Sequence, residues 1–350
     1  MPDRQPGREG DLVLRRGGGR TTLVRLWPLA LWALFLFLTG CEATPKRPTG
    51  HMLVVGQRLN RLVFAGDVML SRGVQRQILA ADDPALPFRK MASLLADSDI
   101  AFVNLESPFT DQKPLFGGEL VFHALPDTIA GLQLAHVSIV STANNHSRDC
   151  GAYGVEYTVS WLQSHGIQTV GSSTSAEATH RGVVLTRNGI RFGFLGYTYD
   201  QQNGNWHDID ARIAIADPVE MARDVQALRE RADVVIVSMH HGIEYMPRPS
   251  AAQVAFARAA IDAGAQLVIG HHPHVVQPSE RYHGGVIFYS LGNFIFDQYQ
   301  RPATQHGEVV RVSFAGRELL ATRVIPVKIT PTGPEVEPPR IPELAPGLMP

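Results

Sequence analysis

Short apolar runs rich in β-branched residues alternate with helical patterns through most of the chain. The helical patterns cover residues 88–96, 155–165, 218–231 and 251–263. The strand-like runs cover residues 62–65, 100–104, 137–142, 192–196, 234–239, 267–269 and 286–289. This alternation predicts an α/β fold with much parallel or mixed sheet. Because no Pro- or Gly-rich break divides residues 61–330, we expect one domain over that range.

Polar residues of ligand type stand directly after almost every predicted strand. They are Asp67, Glu106, Asn144, Asn145, His146, His240, His241, His271, His272, His274 and Asn293. In open α/β sheets, ligands bind at the carboxyl ends of the strands. If the strands are largely parallel neighbours, five of them deliver these side chains to one edge of the sheet. The pattern therefore predicts a functional site at that edge.

The residue types at this edge are those of a divalent metal site. The six predicted ligands are Asp67, Glu106, Asn145, His240, His272 and His274. Mixed nitrogen and oxygen donors suit Mn²⁺, Fe²⁺ or Zn²⁺ better than Ca²⁺, which prefers oxygen shells. Six ligands exceed the needs of one metal with open positions, but they fit two metals that share a bridging carboxylate. His146 would then be a free imidazole, suited to general acid catalysis or to contact with a phosphate oxygen.

Each of these residues also has a structural interpretation. Asp67 could cap the following helix, and Asn145 with His146 could form a turn. The ordered set as a whole favours ligands. His272 and His274 are placed to share a site, because alternate residues of an extended segment point to the same side. We expect the neighbouring His271 and His241 to lie behind the ligands or at the surface.

Composition narrows the class of protein. Hydrophobic residues make up 44% of the 350 residues, which is enough for a sizeable core. The net charge of −1 gives no indication of nucleic acid as a partner. Two cysteines cannot form a disulfide framework. If Cys41 is modified, Cys150 has no partner, and it is predicted to be a buried free thiol.

The N-terminus is predicted to be an export signal. Residues 11–25 carry four arginines, and residues 23–38 form an almost wholly apolar run that is short for a bilayer span but suits a signal peptide. Residues 38–41 read Leu-Thr-Gly-Cys, which resembles the lipobox of bacterial lipoproteins. This resemblance implies cleavage after residue 40 and acylation of Cys41. An uncleaved membrane anchor and a plain secreted protein are the alternatives.

Two further segments flank the predicted domain. Residues 41–60 are expected to be a polar tether, and residues 331–350 a Pro-rich tail that trails over the surface. With a lipidated Cys41, we expect the protein to be anchored in the cell envelope, outside the cytoplasm.

Six short strings occur in order along the chain. They are FAGDVML at 64–70, NLE at 104–106, ANNH at 143–146, HHGIEY at 240–245, GHHPHVVQ at 270–277 and YSLGNF at 289–294. Together they resemble the CapA family of bacterial poly-γ-glutamate capsule synthesis proteins. The order of the Asp, Asn-His, His and His-x-His elements is similar to that of the wider calcineurin-like metallophosphoesterases. The resemblance covers about residues 60–300.

The resemblance implies a four-layer αββα sandwich with two divalent metals. Asp67 and His274 would hold one metal, Asn145, His240 and His272 the other, Glu106 would bridge them, and His146 would be the acid/base residue. Glu244 and Tyr245 could line the substrate cleft, together with Asn144 and Asn293. Two positions depart from the wider superfamily: Met69 replaces a usual His ligand, and residues 104–106 lack the usual Gly-Asp pair before the bridging residue.

Three functions fit these expectations. The favoured one is a metallophosphoesterase-like hydrolase that acts on a cell-envelope polymer or a lipid-linked substrate. The second is a non-catalytic subunit that works with capsule synthesis and export membrane proteins. The third is an amide-directed hydrolase or transferase acting on poly-γ-glutamate, since a metal-activated water can also attack an amide.

Overall fold

The structure, a computed structural model, describes residues 58–114, 117–199 and 210–338. Its strands are β1 (Leu59–Val68), β2 (Ile100–Leu105), β3 (Val137–Ser141), β4 (Gln168–Val170), β5 (Val183–Arg187), β6 (Ile190–Thr198), β7 (Val234–His240), β8 (Leu267–His271), β9 (Val276–Tyr282), β10 (Gly285–Leu291), β11 (Asn293–Ile295), β12 (His306–Ala315), β13 (Glu318–Thr330) and β14 (Gly333–Val336). Its α-helices are α1 (Arg72–Ala81), α2 (Ala92–Ala96), α3 (Ile129–Leu134), α4 (Gly151–Ser164), α5 (Ala176–Arg181), α6 (Pro218–Arg229) and α7 (Ala251–Ala263). Short 3₁₀ helices lie at Leu86–Phe88, Pro126–Thr128 and Pro302–Gln305.

These strands form two sheets. The first has the order β14-β13-β12-β1-β2-β3-β4, with β11 paired to β1 beside this path. The second has the order β5-β6-β7-β8-β10-β9. The centre of each sheet is parallel: β1, β2, β3 and β4 in the first, and β6, β7, β8 and β10 in the second. The other pairings along both sheets are antiparallel.

Three apolar clusters stack the elements into four layers. One cluster lies between the sheets and joins residues such as Phe64 and Phe102 of the first sheet to Phe194 and Ile236 of the second. A second covers the outer face of the first sheet with α1 to α4, and a third covers the outer face of the second sheet with α6 and α7. This confirms the predicted four-layer αββα sandwich.

Helix α7 shows how local sequence sets an element's bounds. The Ser250 hydroxyl accepts the Gln253 N–H, and the Gln253 side chain accepts the Ser250 N–H, which forms a capping box. Gly264 ends the helix with a left-handed backbone, φ 113°. The helix covers residues 251–263, as the pattern predicts.

Several bounds differ from the predictions. The expected helix over 88–96 is shorter, with a 3₁₀ turn before α2. The chain assigned to the tether already forms strand at Leu59, and Gly333–Val336 of the expected tail pairs with β13 as β14. The predicted signal peptide, Cys41 and residues 339–350 lie outside the described residues. No helix among the described residues is long and apolar enough to cross a membrane.

Candidate metal centre

The predicted ligands meet where the two sheets present the carboxyl ends of their parallel strands. Asp67 and Glu106 come from β1 and the end of β2, whereas His240 and His271 are paired at the ends of β7 and β8. The expectation of a single sheet edge was therefore wrong. The predicted ligands are divided between two packed sheets, because the alternating pattern of strands and helices does not reveal which strands share a sheet.

Three donor atoms converge at the second predicted metal position. His240 Nε2 lies 2.8 Å from Asn145 Oδ1 and 3.1 Å from His272 Nδ1. Two ligands bound to one ion at about 2.1 Å lie about 3 Å apart, so these spacings are those of neighbouring metal ligands. His240 and His272 are buried, and such a concentration of lone pairs fits a divalent cation.

A pair of carboxylates lies beside this triad. Asp67 Oδ2 is 3.5 Å from His274 Nδ1, and the donor atoms of Asp67, Glu106 and His240 all lie within 4.8 Å of one another. Glu106 Oε2 is buried without a hydrogen-bond partner. A buried carboxylate oxygen without a partner is costly, and a metal ion would satisfy it. This arrangement fits the bridging position that the sequence predicted for Glu106.

The pKa values of the carboxylates respond to their burial and to each other. Burial opposes the charge on Asp67, but contacts with His271 and His274 hold the pKa of Asp67 well below its usual value. Burial raises the pKa of Glu106 well above its usual value, and the negative charge of Asp67 raises it further. The two carboxylates therefore repel each other, and a shared cation would relieve that repulsion.

Burial favours the neutral forms of His240 and His272. It lowers the pKa of His240 well below its usual value, and the charge of His272 adds to the effect. Burial, followed by the charge of His274, lowers the pKa of His272 to about 3. Neutral imidazole is the form that ligates a metal.

His272 and His274 reach the site by an unexpected route. They do not lie on an extended segment as the His-x-His spacing suggested, because both have left-handed backbones, with φ of 96° and 58°. Pro273 separates them. Such backbones cost of order 1–3 kcal/mol each and cluster at functional sites.

His146 forms a dyad with Asp149. Its Nδ1 lies 2.8 Å from Asp149 Oδ2, and its ring stacks on Phe122 with centroids 3.8 Å apart. Asp149 also accepts the backbone N–H of Phe122 at 2.6 Å. One carboxylate therefore fixes both the His146 ring and the backbone that carries the stacked Phe122 ring. The carboxylate fixes the Nδ1–H tautomer and leaves Nε2 as the nitrogen that can exchange a proton with a substrate.

Two of the residues predicted to contact substrate are instead buried supports. The Asn144 amide donates to Leu105 O and accepts the His146 N–H, at 2.8 and 3.1 Å. Asn293 Oδ1 lies 3.0 Å from His274 Nδ1, and its Nδ2 donates to Thr304 O. Both side chains are fully buried, so the structure places them behind His146 and His274 and not on a substrate-facing surface.

Tyr245 lies on a groove beside the predicted ligand His274. The Tyr245 ring centroid is 6.3 Å from that of His274, and Glu244 next to it is exposed. The groove has a volume of about 540 Å³. Its wall includes Arg72, Arg76, Gln77, Tyr245, Gln298 and Tyr299.

Arg72 connects this groove to the dyad. Its guanidinium lies 4.7 Å from the centroid of the Phe122 ring, which stacks on His146, and it pairs with Asp297. Arg72 and Tyr245 both have left-handed backbones, with φ of 46° and 65°. Sequence reasoning missed Arg72. The available signal was its position shortly after Asp67, at the start of a helix that was not predicted.

Asn104 is a second residue that the predictions missed. It is fully buried, and its Nδ2 lies 2.9 Å from Asp67 Oδ1, 3.4 Å from Glu106 Oε1 and 3.2 Å from His240 Nδ1. It therefore contacts three predicted ligands from both sheets. Its position two residues before Glu106 was the available signal, since alternate strand residues share a face.

The fold and the site together define a class of protein. An αββα sandwich with buried Asp, Glu, Asn and His donors at the ends of its two sheets is metallophosphoesterase-like. The model of the family described as "Bacterial capsule synthesis protein PGA_cap" matches residues 61–298. The chain belongs to this family.

Curated relatives agree with this assignment. The "PGA biosynthesis protein CapA" of Bacillus subtilis is 31% identical over 276 residues, which cover 77% of this chain and 71% of the relative. The "Capsule biosynthesis protein CapA" of Bacillus anthracis is 32% identical over 246 residues, which cover 68% of this chain and 60% of the relative.

Solved structures with similar folds are more distant in sequence. The NAD nucleotidase of Haemophilus influenzae aligns with a TM-score of 0.49 at 11% identity, over 77% of this chain and 56% of that one. A 5′-nucleotidase precursor from Thermus thermophilus aligns with a TM-score of 0.48 at 15% identity, over 79% of this chain and 56% of that one.

Proposed function

We propose that this protein is an exported, lipid-anchored, metal-dependent hydrolase of capsule or poly-γ-glutamate biosynthesis, with a dinuclear phosphoesterase-type site. The observation that carries the proposal is the convergence of His240 Nε2, Asn145 Oδ1 and His272 Nδ1 at metal-ligand spacing, beside the buried pair Asp67 and Glu106. The proposed process is that of the relatives, whose names concern capsule and PGA biosynthesis.

The residues of the site would divide the chemistry between them. Asp67 and His274 would hold one metal, Asn145, His240 and His272 the other, and Glu106 would bridge them. The metals, for which the donor set suits Mn, Fe or Zn, would supply a water of lowered pKa and a clamp for a phosphoryl group or a carbonyl.

His146 would protonate the leaving group. Asp149 holds its Nδ1 at 2.8 Å, and the stacked ring of Phe122 fixes the plane of the imidazole. To act as the acid, the ring would carry protons on both nitrogens: the Nδ1–H stays on Asp149, and the Nε2–H passes to the leaving atom.

The groove would hold the substrate chain. Its wall offers guanidinium, amide and phenol groups together with the carboxylates of Glu119 and Asp297, and Asp297 pairs with Arg72. These groups can bind a polar chain through charged and neutral hydrogen bonds. Such a wall suits an envelope polymer or a lipid-linked substrate better than a small apolar ligand.

The test combines metal analysis with two substrates. Full-length protein in detergent is reconstituted with Mn²⁺ and assayed for bound metal, for hydrolysis of an aryl phosphate and for cleavage of poly-γ-glutamate. We expect close to two equivalents of metal and hydrolysis of one substrate, both lost in His240→Ala and kept in the exposed-site control His283→Ala. Metal below a tenth of an equivalent would contradict the proposal.

A non-catalytic capsule-assembly subunit is the second candidate, and Met69 favours it. The Met69 side chain is buried in the core, and its sulfur accepts the Ser71 N–H at 3.1 Å. Position 69 therefore supplies no imidazole to the first metal. This candidate predicts that His146→Ala leaves capsule production intact while deletion of the protein abolishes it.

A further inference from the structure

His271 lies between the two sheets, directly behind the metal centre. It is the last residue of β8, its side chain is fully buried, and its ring stacks over Phe102 of β2 with centroids 6.2 Å apart. Its side chain therefore extends from the second sheet toward the first. None of the roles proposed above uses it.

The His271 ring lacks a well-aligned hydrogen bond at either nitrogen. A buried polar group in this state destabilises the fold unless it gains a partner. Its Nδ1 lies 3.2 Å from Asp67 Oδ1, so a small rotation of the ring would align a bond to this carboxylate. The contact joins β8 of one sheet to β1 of the other.

The two oxygens of Asp67 have different neighbours. Oδ1 receives the Asn104 Nδ2–H at 2.9 Å and faces His271, whereas Oδ2 receives the His272 N–H at 3.2 Å and faces His274 Nδ1 at 3.5 Å. The first oxygen thus faces two side chains, Asn104 and His271, that are not among the predicted ligands. The second is the oxygen presented toward another predicted ligand.

We propose that His271 is a positioning residue that donates its Nδ1–H to Asp67 Oδ1 and thereby aims Oδ2 at the metal position shared with His274. His271 reaches Asp67 from the opposite sheet with an imidazole. Met69, which is buried in the core, provides no such contact. The inference rests on the proposed metal centre, but it does not depend on which bond that centre cleaves.

The test measures metal affinity and not turnover. Full-length protein in detergent is titrated with Mn²⁺ by calorimetry, with bound metal counted by mass spectrometry. His271→Leu removes the donor at similar volume, and His271→Asn keeps an N–H donor near the place of Nδ1. His283→Leu is the matched control, because His283 forms a His–Asp pair with Asp262 at 2.7 Å on the exposed surface.

We expect His271→Leu to weaken one of the two metal equivalents by about 10–100-fold, the effect usual for a residue that orients a ligand. His271→Asn should stay within a few-fold of wild type, and His283→Leu should match wild type. If circular dichroism shows that His271→Leu is unfolded, His271→Ala is measured against the same expectations.

Two results would overturn the inference. One is wild-type affinity at both equivalents in a folded variant that lacks the donor. The other is a loss in His271→Asn as large as in His271→Leu, which would mean that the ring itself and not its N–H is needed. Either leaves the proposed hydrolase intact, whereas a wild type that binds two metals and hydrolyses nothing contradicts the hydrolase alone.

Discussion

Three buried asparagines lie behind residues of the candidate site. Asn293 lies against His274, Asn104 contacts Asp67, and Asn144 supports the loop of His146. Side chains that orient ligands in this way usually contribute about 10–100-fold to metal affinity or activity. The asparagines therefore belong to the candidate site together with the predicted ligands.

At His146, the dyad with Asp149 leads to a specific expectation. His146→Gln should lower the rate of hydrolysis by about 10²–10⁴-fold, because the proton donor to the leaving group is lost. The number of bound metals should not change, since His146 is not a predicted ligand. Turnover and metal content measured on one preparation check both statements, with His283→Gln as the control. If His146→Gln keeps wild-type turnover, a group other than His146 protonates the leaving group.

Residue types at strand ends were enough to predict the cluster of ligands. Strand-end position predicted the convergence of Asp67, Asn145 and His240, because the end of a parallel strand is a geometric constraint. The supporting role of Asn144 could not be predicted, since it depends on a contact with Leu105 O across the loop. The left-handed backbones of His272 and His274 were also beyond a spacing argument.

Among the elements, β1 and the turn before β11 approach each other unusually closely. A Cβ on Gly66 would lie 2.0 Å from Gly292 O. Gly66→Ala should therefore lower the free energy of unfolding by about 1–3 kcal/mol or more, and weaken metal binding through the displaced Asp67. Gly117→Ala is the control, because its Cβ meets nothing within 4 Å. Urea unfolding compares the two, and equal stabilities would show that β1 can shift without strain.

Strand β12 carries a carboxyl group that links stability to pH. Burial raises the pKa of Glu308 from 4.5 to about 7. Between these values the folded chain holds a proton that the unfolded chain has lost, so stability falls as pH rises through this window. After allowance for partial exposure, the loss is about 1–3 kcal/mol.

Glu308→Gln should remove this loss. The variant should match wild type at pH 4 and be more stable than wild type at pH 8, as measured by urea unfolding at both values. If wild type and Glu308→Gln differ in stability by the same amount at pH 4 and at pH 8, the assignment is wrong.

The elements of the sandwich were only partly predictable. The seven predicted strands are all present, because buried parallel strands are continuous apolar runs. Helix α1 was missed because only Val74 and Ile78 are buried in it, too few to set a helical period. Strands β12 to β14 were not predicted. In β13, the alternation of buried and exposed positions that marks a strand is confined mainly to its last part.

For the whole molecule, the predicted lipid anchor can be tested directly. Cys41→Ser should abolish labelling with a radioactive fatty acid and move the protein from the membrane fraction to the soluble one, since two acyl chains are needed for durable attachment. Cys150→Ser is the control. Cys150 is a buried free thiol, as predicted, with a pKa raised by burial to about 12. Membrane retention of Cys41→Ser would instead support the uncleaved anchor.

The division of ligands between two sheets has a thermodynamic consequence. In the first sheet, Asp67 lies in β1 and Asn145 follows β3. In the second, His240 ends β7 and His272 follows β8. An ion bound by both sets would act as a cross-link between separately built halves. At a free metal concentration of about 100 times Kd, it would add about 2.7 kcal/mol to the free energy of unfolding.

A chelator should therefore lower the melting temperature by several degrees, as scanning calorimetry can measure, and excess Mn²⁺ should restore it. A melting temperature that is the same with and without chelator would show that metal binding does not stabilise the fold. By the same linkage, a substitution in the apolar layer between the sheets, far from any ligand, should alter metal affinity. If the site binds an ion as proposed, its affinity for that ion would report how closely the two sheets pack against each other.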